Sequence, residues 1–134
     1  MAPLHTSLYA GLLSLMFLWL SYRITVIRRS GGTSLGYGDD DRLLRAVRVH
    51  GNFAEYVPFA LVLLGLAELS GAHWAGVHAL GLSLLAGRLL HAYGLSVKAG
   101  VSFGRFWGTA LTFAVLLFGG LYVAGLGVMR LVSG

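Results

Sequence analysis

Arg45, Arg48, Asn52, Glu55 and Tyr56 lie in a stretch, residues 45–71, that is otherwise apolar enough to cross a membrane. Polar and ionisable side chains at bilayer depth are costly, so they face a protein interior or a watery cavity and mark a functional site. At 100° per residue Arg45, Arg48, Asn52 and Glu55 share an arc of about 80°, with Tyr56 on its flank. Two guanidiniums, an amide and a carboxylate on one helix face make a recognition surface. Arginine suits carboxylates through its planar, bidentate fork, and Glu55 suits an ammonium group. The guest expected for such a face is a small anion with at least one amine, beside an apolar co-ligand delivered from the bilayer.

Other residues join this face. Pro58 has no N–H to offer the carbonyl of Ala54, so it should kink the helix beside Glu55. The freed carbonyl must then find another partner or line a cavity. Arg88 and His91 stand at i, i+3 with Tyr93 nearby, and Arg105 precedes Phe106 and Trp107. Singly, each has a plainer reading. Arg88 and Arg105 fit interfacial anchors that snorkel, His91 a structural imidazole, and Arg48 with Glu55 a means of pairing neighbouring helices. Together with Arg28 and Arg29 they form a cationic pocket with a single acid. The five histidines (His5, His50, His73, His78, His91) show no H-x-x-x-H or H-E-x-x-H spacing, which argues against a metal site.

The elements that must position these groups are membrane-spanning helices. Of 134 residues 57% are hydrophobic and only 11% charged, with a mean hydropathy of +0.77. This composition predicts a single all-α membrane domain over residues 1–134, a four-transmembrane-helix bundle. Spans are expected at residues 4–27, 46–69, 72–92 and 106–132, each near the ~20 residues that cross the hydrocarbon core. The first has no basic leader and no A-x-A site, unlike a cleavable signal peptide. The chain has no cysteine, so any thiol in its chemistry arrives with a substrate. Arg23, Arg28, Arg29, Arg42, Arg45, Arg48, Arg88, Lys98 and Arg105 put nine of the ten cations beside the first and third connections. The net charge of +5 therefore reads as membrane topology and not as nucleic-acid binding. It places both long connections in the cytoplasm and both termini on the opposite side.

The first connection is Gly-rich and mobile, with Asp39, Asp40 and Asp41 expected to cap the second helix. The second, near Ser70-Gly71-Ala72-His73, is short enough to make a tight helical hairpin. Small residues let helices approach closely in lipid. Ala75, Ala79, Ser83 and Gly87 on helix three, and Gly119, Gly120, Gly125 and Gly127 on helix four, are the expected packing stripes.

The run Arg48-x-x-x-Asn52-x-x-Glu55-Tyr56-x-Pro58 resembles the second-helix signature of the MAPEG family (membrane-associated proteins in eicosanoid and glutathione metabolism). Arg88-Leu89-Leu90-His91 resembles its third-helix motif, and Arg105-x-x-Gly108-Thr109 the start of its fourth helix. Size, helix number and orientation also agree, so the resemblance covers nearly the whole chain. It implies a homotrimer with three sites between neighbouring subunits, and glutathione as co-substrate for chemistry on lipophilic molecules. It further implies that Arg48, Asn52, Glu55 and Tyr56 hold the tripeptide's carboxylates and amine, joined by Arg88 and by His91, which stands where members carry Tyr or His. Arg105 matches the arginine that stabilises the glutathione thiolate, and Arg28 or Arg29 the first-helix arginine of some synthases. Lowering a thiol pKa from ~8.5 by about two units needs only ~2.7 kcal/mol, within reach of one desolvated guanidinium. One departure stands out: a glutathione-binding tyrosine two turns after the third-helix arginine corresponds to Leu95 here.

The expected function is a glutathione-dependent transferase or peroxidase acting on lipophilic electrophiles. A non-catalytic lipid-binding or scaffold member is the alternative. A small multidrug exporter also has four helices, but its essential glutamate lies in the first helix, which has no acid here. The expected partners are further copies of the chain, membrane lipids and a lipophilic small molecule. A bacterial source would place the protein in the inner membrane.

Overall fold

The computed structural model describes residues 2–98 and 100–133, and among them every regular element is helical. The helices are α1 (Leu4–Gly31), α2 (Asp41–Leu69), α3 (Trp74–Val97) and α4 (Phe103–Ser133), each long and apolar enough to cross a membrane. All four expected spans are present, but the helices run further at the Arg-rich end. There α2 starts at Asp41, α3 continues to Val97 and α4 starts at Phe103. Apolar runs report the hydrocarbon thickness, whereas backbone hydrogen bonding carries a helix onward until a cap stops it.

Asp40 is that cap for α2. Its carboxylate accepts from the backbone N–H of Arg42 at 2.8 Å and of Leu43 at 3.4 Å, and pairs with the Arg42 guanidinium at 3.1 Å. The side-chain bond from Arg42 holds the Asp40 carboxyl below the usual carboxylate range. The cap's contribution is therefore complete at neutral pH and fades as pH falls through that lowered range. At the other end α2 closes in a Schellman turn. Gly71 takes φ +92°, its N–H donates to the Glu68 carbonyl, and Ala72 N–H donates to the Ala67 carbonyl. This produces the tight α2–α3 hairpin.

A second cap carried no sequence signal. Pro3 gives α1 no side-chain cap, and Glu68 from the last turn of α2 supplies one across the bundle. Its carboxylate oxygens accept from the N–H groups of His5 (2.9 Å) and Thr6 (2.7 Å), fixing α1 antiparallel to α2. At the Arg-rich end Arg23 on α1 donates to Ser96 Oγ on α3 at 2.7 Å. Among the described residues α1 and α4 do not touch, so they flank the α2–α3 pair on opposite sides. Leu13, Leu20, Val49, Phe53, Leu64, Leu84 and Val115 fill the core between them. The helix α2 runs unbroken through Pro58, which borders an apolar groove of about 220 Å³ between α1 and α2.

The close helix contacts use only part of the expected stripes, with Gly87 and Gly119 buried, and add Gly94, Gly104 and Gly108, which the stripes did not include. Ala75, Ala79, Gly125 and Gly127 are exposed, while α3 and α4 meet at Gly87 against Gly108 and Gly94 against Gly104. A stripe of small residues defines a face, and which face is used depends on where the neighbouring helix lies. Tyr9 makes a third such contact, its ring filling the space a Cβ at Gly81 would need and its hydroxyl 2.7 Å from His78 Nδ1. A Cβ at Gly108 would lie 2.5 Å from the Gly87 carbonyl oxygen and 2.6 Å from His91 N, both backbone atoms. Gly108→Ala should therefore force the helices apart at a cost of about 1–3 kcal/mol. Gly120→Ala, with open space around it, should be neutral. Thermal melting of the two variants in detergent checks this, and equal melting would contradict it.

Candidate functional site

Arg88 sits where three helices meet at the level of the glycine contact. It is only 2% exposed. One terminal nitrogen, Nη1, donates to Asn52 Oδ1 on α2 at 2.7 Å, and Nη2 donates to the Gly108 carbonyl on α4 at 3.1 Å. The same carbonyl accepts from Thr112 Oγ1 at 2.8 Å. The guanidinium carbon lies 5.8 Å from the centroid of the Tyr56 ring, within cation–π range. Arg88 Nε is buried without a partner, and among the described residues no carboxylate pairs with this cation. The snorkelling reading of Arg88 is thus corrected. Gly87 and Gly108 bring α3 and α4 so close that an inward-turned guanidinium reaches the α4 backbone.

Beside this tie a cavity of about 240 Å³ is lined by Leu44, Arg45, Arg48, Asn52, His91, Leu95 and Arg105. Asn52 touches both features, its amide oxygen committed to Arg88 and its side chain bordering the cavity. His91 is 6% exposed, and no protein group among the described residues hydrogen-bonds its ring. Arg105, in the first turn of α4, donates from Nη1 to the Gly100 carbonyl at 2.8 Å. It also borders a second, mostly apolar cavity of about 420 Å³ with Val101, Phe106, Thr109, Ala110 and Phe113. A guanidinium between a polar cavity and an apolar one can meet an anionic ligand on one side and a lipophilic one on the other.

The remaining expected site residues lie apart from the cavity wall. Glu55 is exposed on α2 and pairs with no cation among the described residues. The Tyr56 ring lies between Arg88 and Phe113, 5.7 Å from the latter's centroid. Arg28 donates to the Gly36 carbonyl at 2.9 Å and so organises the α1–α2 loop, while Arg29 is exposed. Leu95 lines the cavity where the resemblance would place a tyrosine. Leu44 and the pairing of Arg88 with Asn52 were not foreseeable, since both depend on the register between α2 and α3.

The polar side chains on the wall are three guanidiniums, an amide and an imidazole, a set that suits an acid group. The family model for MAPEG matches residues 6–125, which include every residue of the cavity. The chain belongs to the MAPEG family. A stretch of 89 residues is 40% identical to the inner membrane protein YecN of Escherichia coli K12, covering 66% of this chain and 68% of that protein. YecN from Escherichia coli O6:H1 strain CFT073 matches to the same extent. In this MAPEG protein the aromatic partner of Arg88 offers a simple test. Tyr56→Leu removes the ring face from a desolvated guanidinium and should cost about 1–2 kcal/mol, whereas Tyr56→Phe should cost less than half of that. Detergent melting curves of both variants measure the difference, and equal losses would contradict a cation–π role.

Proposed function

We propose that this MAPEG membrane protein binds glutathione at the Arg-rich end of α2, α3 and α4 and uses its thiolate on lipophilic electrophiles drawn from the bilayer. The reading is of a transferase or peroxidase. The observation that carries it is the position of Arg105, on the wall of both the cationic cavity and the apolar one. Arg45, Arg48 and Asn52 supply donors for the tripeptide's carboxylates, and His91 and Arg105 border the space for the thiol. A guanidinium beside the sulfur stabilises the thiolate, and the proton leaves to water through the open cavity. In a transfer the sulfur then bonds to the electrophilic carbon as its leaving group departs as an anion. In a peroxidase reaction it breaks the O–O bond of a hydroperoxide to release the alcohol, a second glutathione closing the disulfide and releasing water.

One protomer supplies part of such a site. Its cavity of about 240 Å³ falls below the ~300–1,000 Å³ usual for small-molecule sites. Exposed Arg48 and Glu55 at bilayer depth also call for a cover other than lipid. Both observations support assembly into a homotrimer in which a neighbour completes the pocket and Glu55 meets the ligand's amine. The charge asymmetry supports a cytoplasmic placement of the Arg-rich end, and the name of YecN supports an inner-membrane location.

Leu95 in place of a tyrosine favours the alternative of a non-catalytic lipid-binding member, as does the wholly apolar α1–α2 groove. Isothermal titration of the detergent-solubilised protein with glutathione separates the two. The catalytic reading expects saturable binding at millimolar glutathione or below, and a thiolate absorption band in the ultraviolet that Arg105→Ala abolishes. Absence of binding, with lipid retained through purification, would favour the alternative.

A further inference from the structure

Arginine can only donate, so the bond from Arg88 Nη1 to Asn52 Oδ1 fixes which end of the Asn52 amide faces away from Arg88. The oxygen is used and the NH₂ group remains for the cavity that Asn52 lines. Arg45, Arg48 and Arg105 on the same wall are donors without acceptor capacity, and Leu44 and Leu95 are apolar. With the Asn52 oxygen held toward Arg88, His91 is, among the described residues of the wall, the one other side chain with acceptor capacity.

We propose that Arg88 is a positioning residue for ligand specificity: by holding the Asn52 oxygen toward itself it turns the amide NH₂ to the cavity, so a wall dominated by donors selects a ligand that presents an acid group to Asn52. Tying three helices together does not use every group of Arg88. Its Nε is buried without a partner and no carboxylate among the described residues pairs with it, so part of the guanidinium's desolvation cost is uncompensated. The orientation it imposes on Asn52 gives that cost a use. The inference deepens the glutathione reading, and it rests on that reading only for the identity of the natural ligand.

Asn52→Asp separates the two roles of this side chain. A carboxylate still accepts from Arg88, now as an ion pair, but it turns an acceptor with negative charge toward the cavity. The probes are glutathione and glutarate, a dicarboxylate with neither amine nor thiol, each titrated calorimetrically against the detergent-solubilised protein. The variant should melt no lower than the wild type and bind both probes about 10- to 100-fold more weakly. Arg88→Lys, which can still donate to Oδ1, should keep most of the affinity, and Arg88→Met should lose about tenfold while remaining folded. If the wild type binds glutarate but not glutathione and Asn52→Asp loses it, the inference stands and the glutathione reading falls. If the wild type binds glutathione and Asn52→Asp binds it equally well, the inference falls and the glutathione reading stands. Binding of neither probe by the wild type, or failure of Asn52→Asp to fold, would overturn the inference.

Discussion

Arg88 reaches from α3 to Asn52 on α2 and to the Gly108 carbonyl on α4, and it does so because two pairs of glycines let α3 and α4 touch backbone to backbone. In lipid there is no hydrophobic gain from pressing apolar helices together, so close van der Waals contact and interhelical hydrogen bonds set the register. The Gly87–Gly108 contact brings the α4 backbone within reach of the guanidinium, and the guanidinium in turn ties that contact to α2. The cavity lies beside this junction. Its wall takes Arg45, Arg48 and Asn52 from α2, His91 and Leu95 from α3, and Arg105 from α4. Moving any of the three helices would dismantle it.

The two ends of the bundle are built differently. At the hairpin end the polar groups are absorbed by structure: Glu68 caps α1, Tyr9 meets His78, and Gly71 closes the turn. At the Arg-rich end several cations have no such duty. Arg28 holds a loop and Arg42 pairs with Asp40, whereas Arg45 and Arg48 face a cavity. Charge concentrated at this end of the bundle is thus available for recognition, which supports an anionic ligand.

Much of this was legible in the sequence, for reasons that differ by residue. Hydropathy located four helices because the bilayer sets their minimum length, and the acidic residues before α2 marked its cap because an N-terminus has four unpaired N–H groups. The polar arc of α2 was legible because Arg45, Arg48 and Asn52 follow the helical period. What depends on the register between helices was not. Gly104 and Gly108 sit in close helix contacts within the protomer and Gly125 and Gly127 do not, although all are alike in sequence. Arg88 read equally well as an anchor near a helix end, and nothing local to α3 shows that it faces Asn52. Glu68, at the end of an apolar run, gave no sign that it caps a helix more than sixty residues away in sequence.

The most direct test is a structure of the protein in a lipid nanodisc with glutathione. The account predicts a ligand carboxylate within hydrogen-bonding distance of the Asn52 NH₂ group and of Arg48. It also predicts Arg88 still bonded to the Asn52 oxygen and the sulfur beside Arg105. A cavity holding only a lipid headgroup, or an Asn52 amide turned with its oxygen toward the ligand, would contradict it.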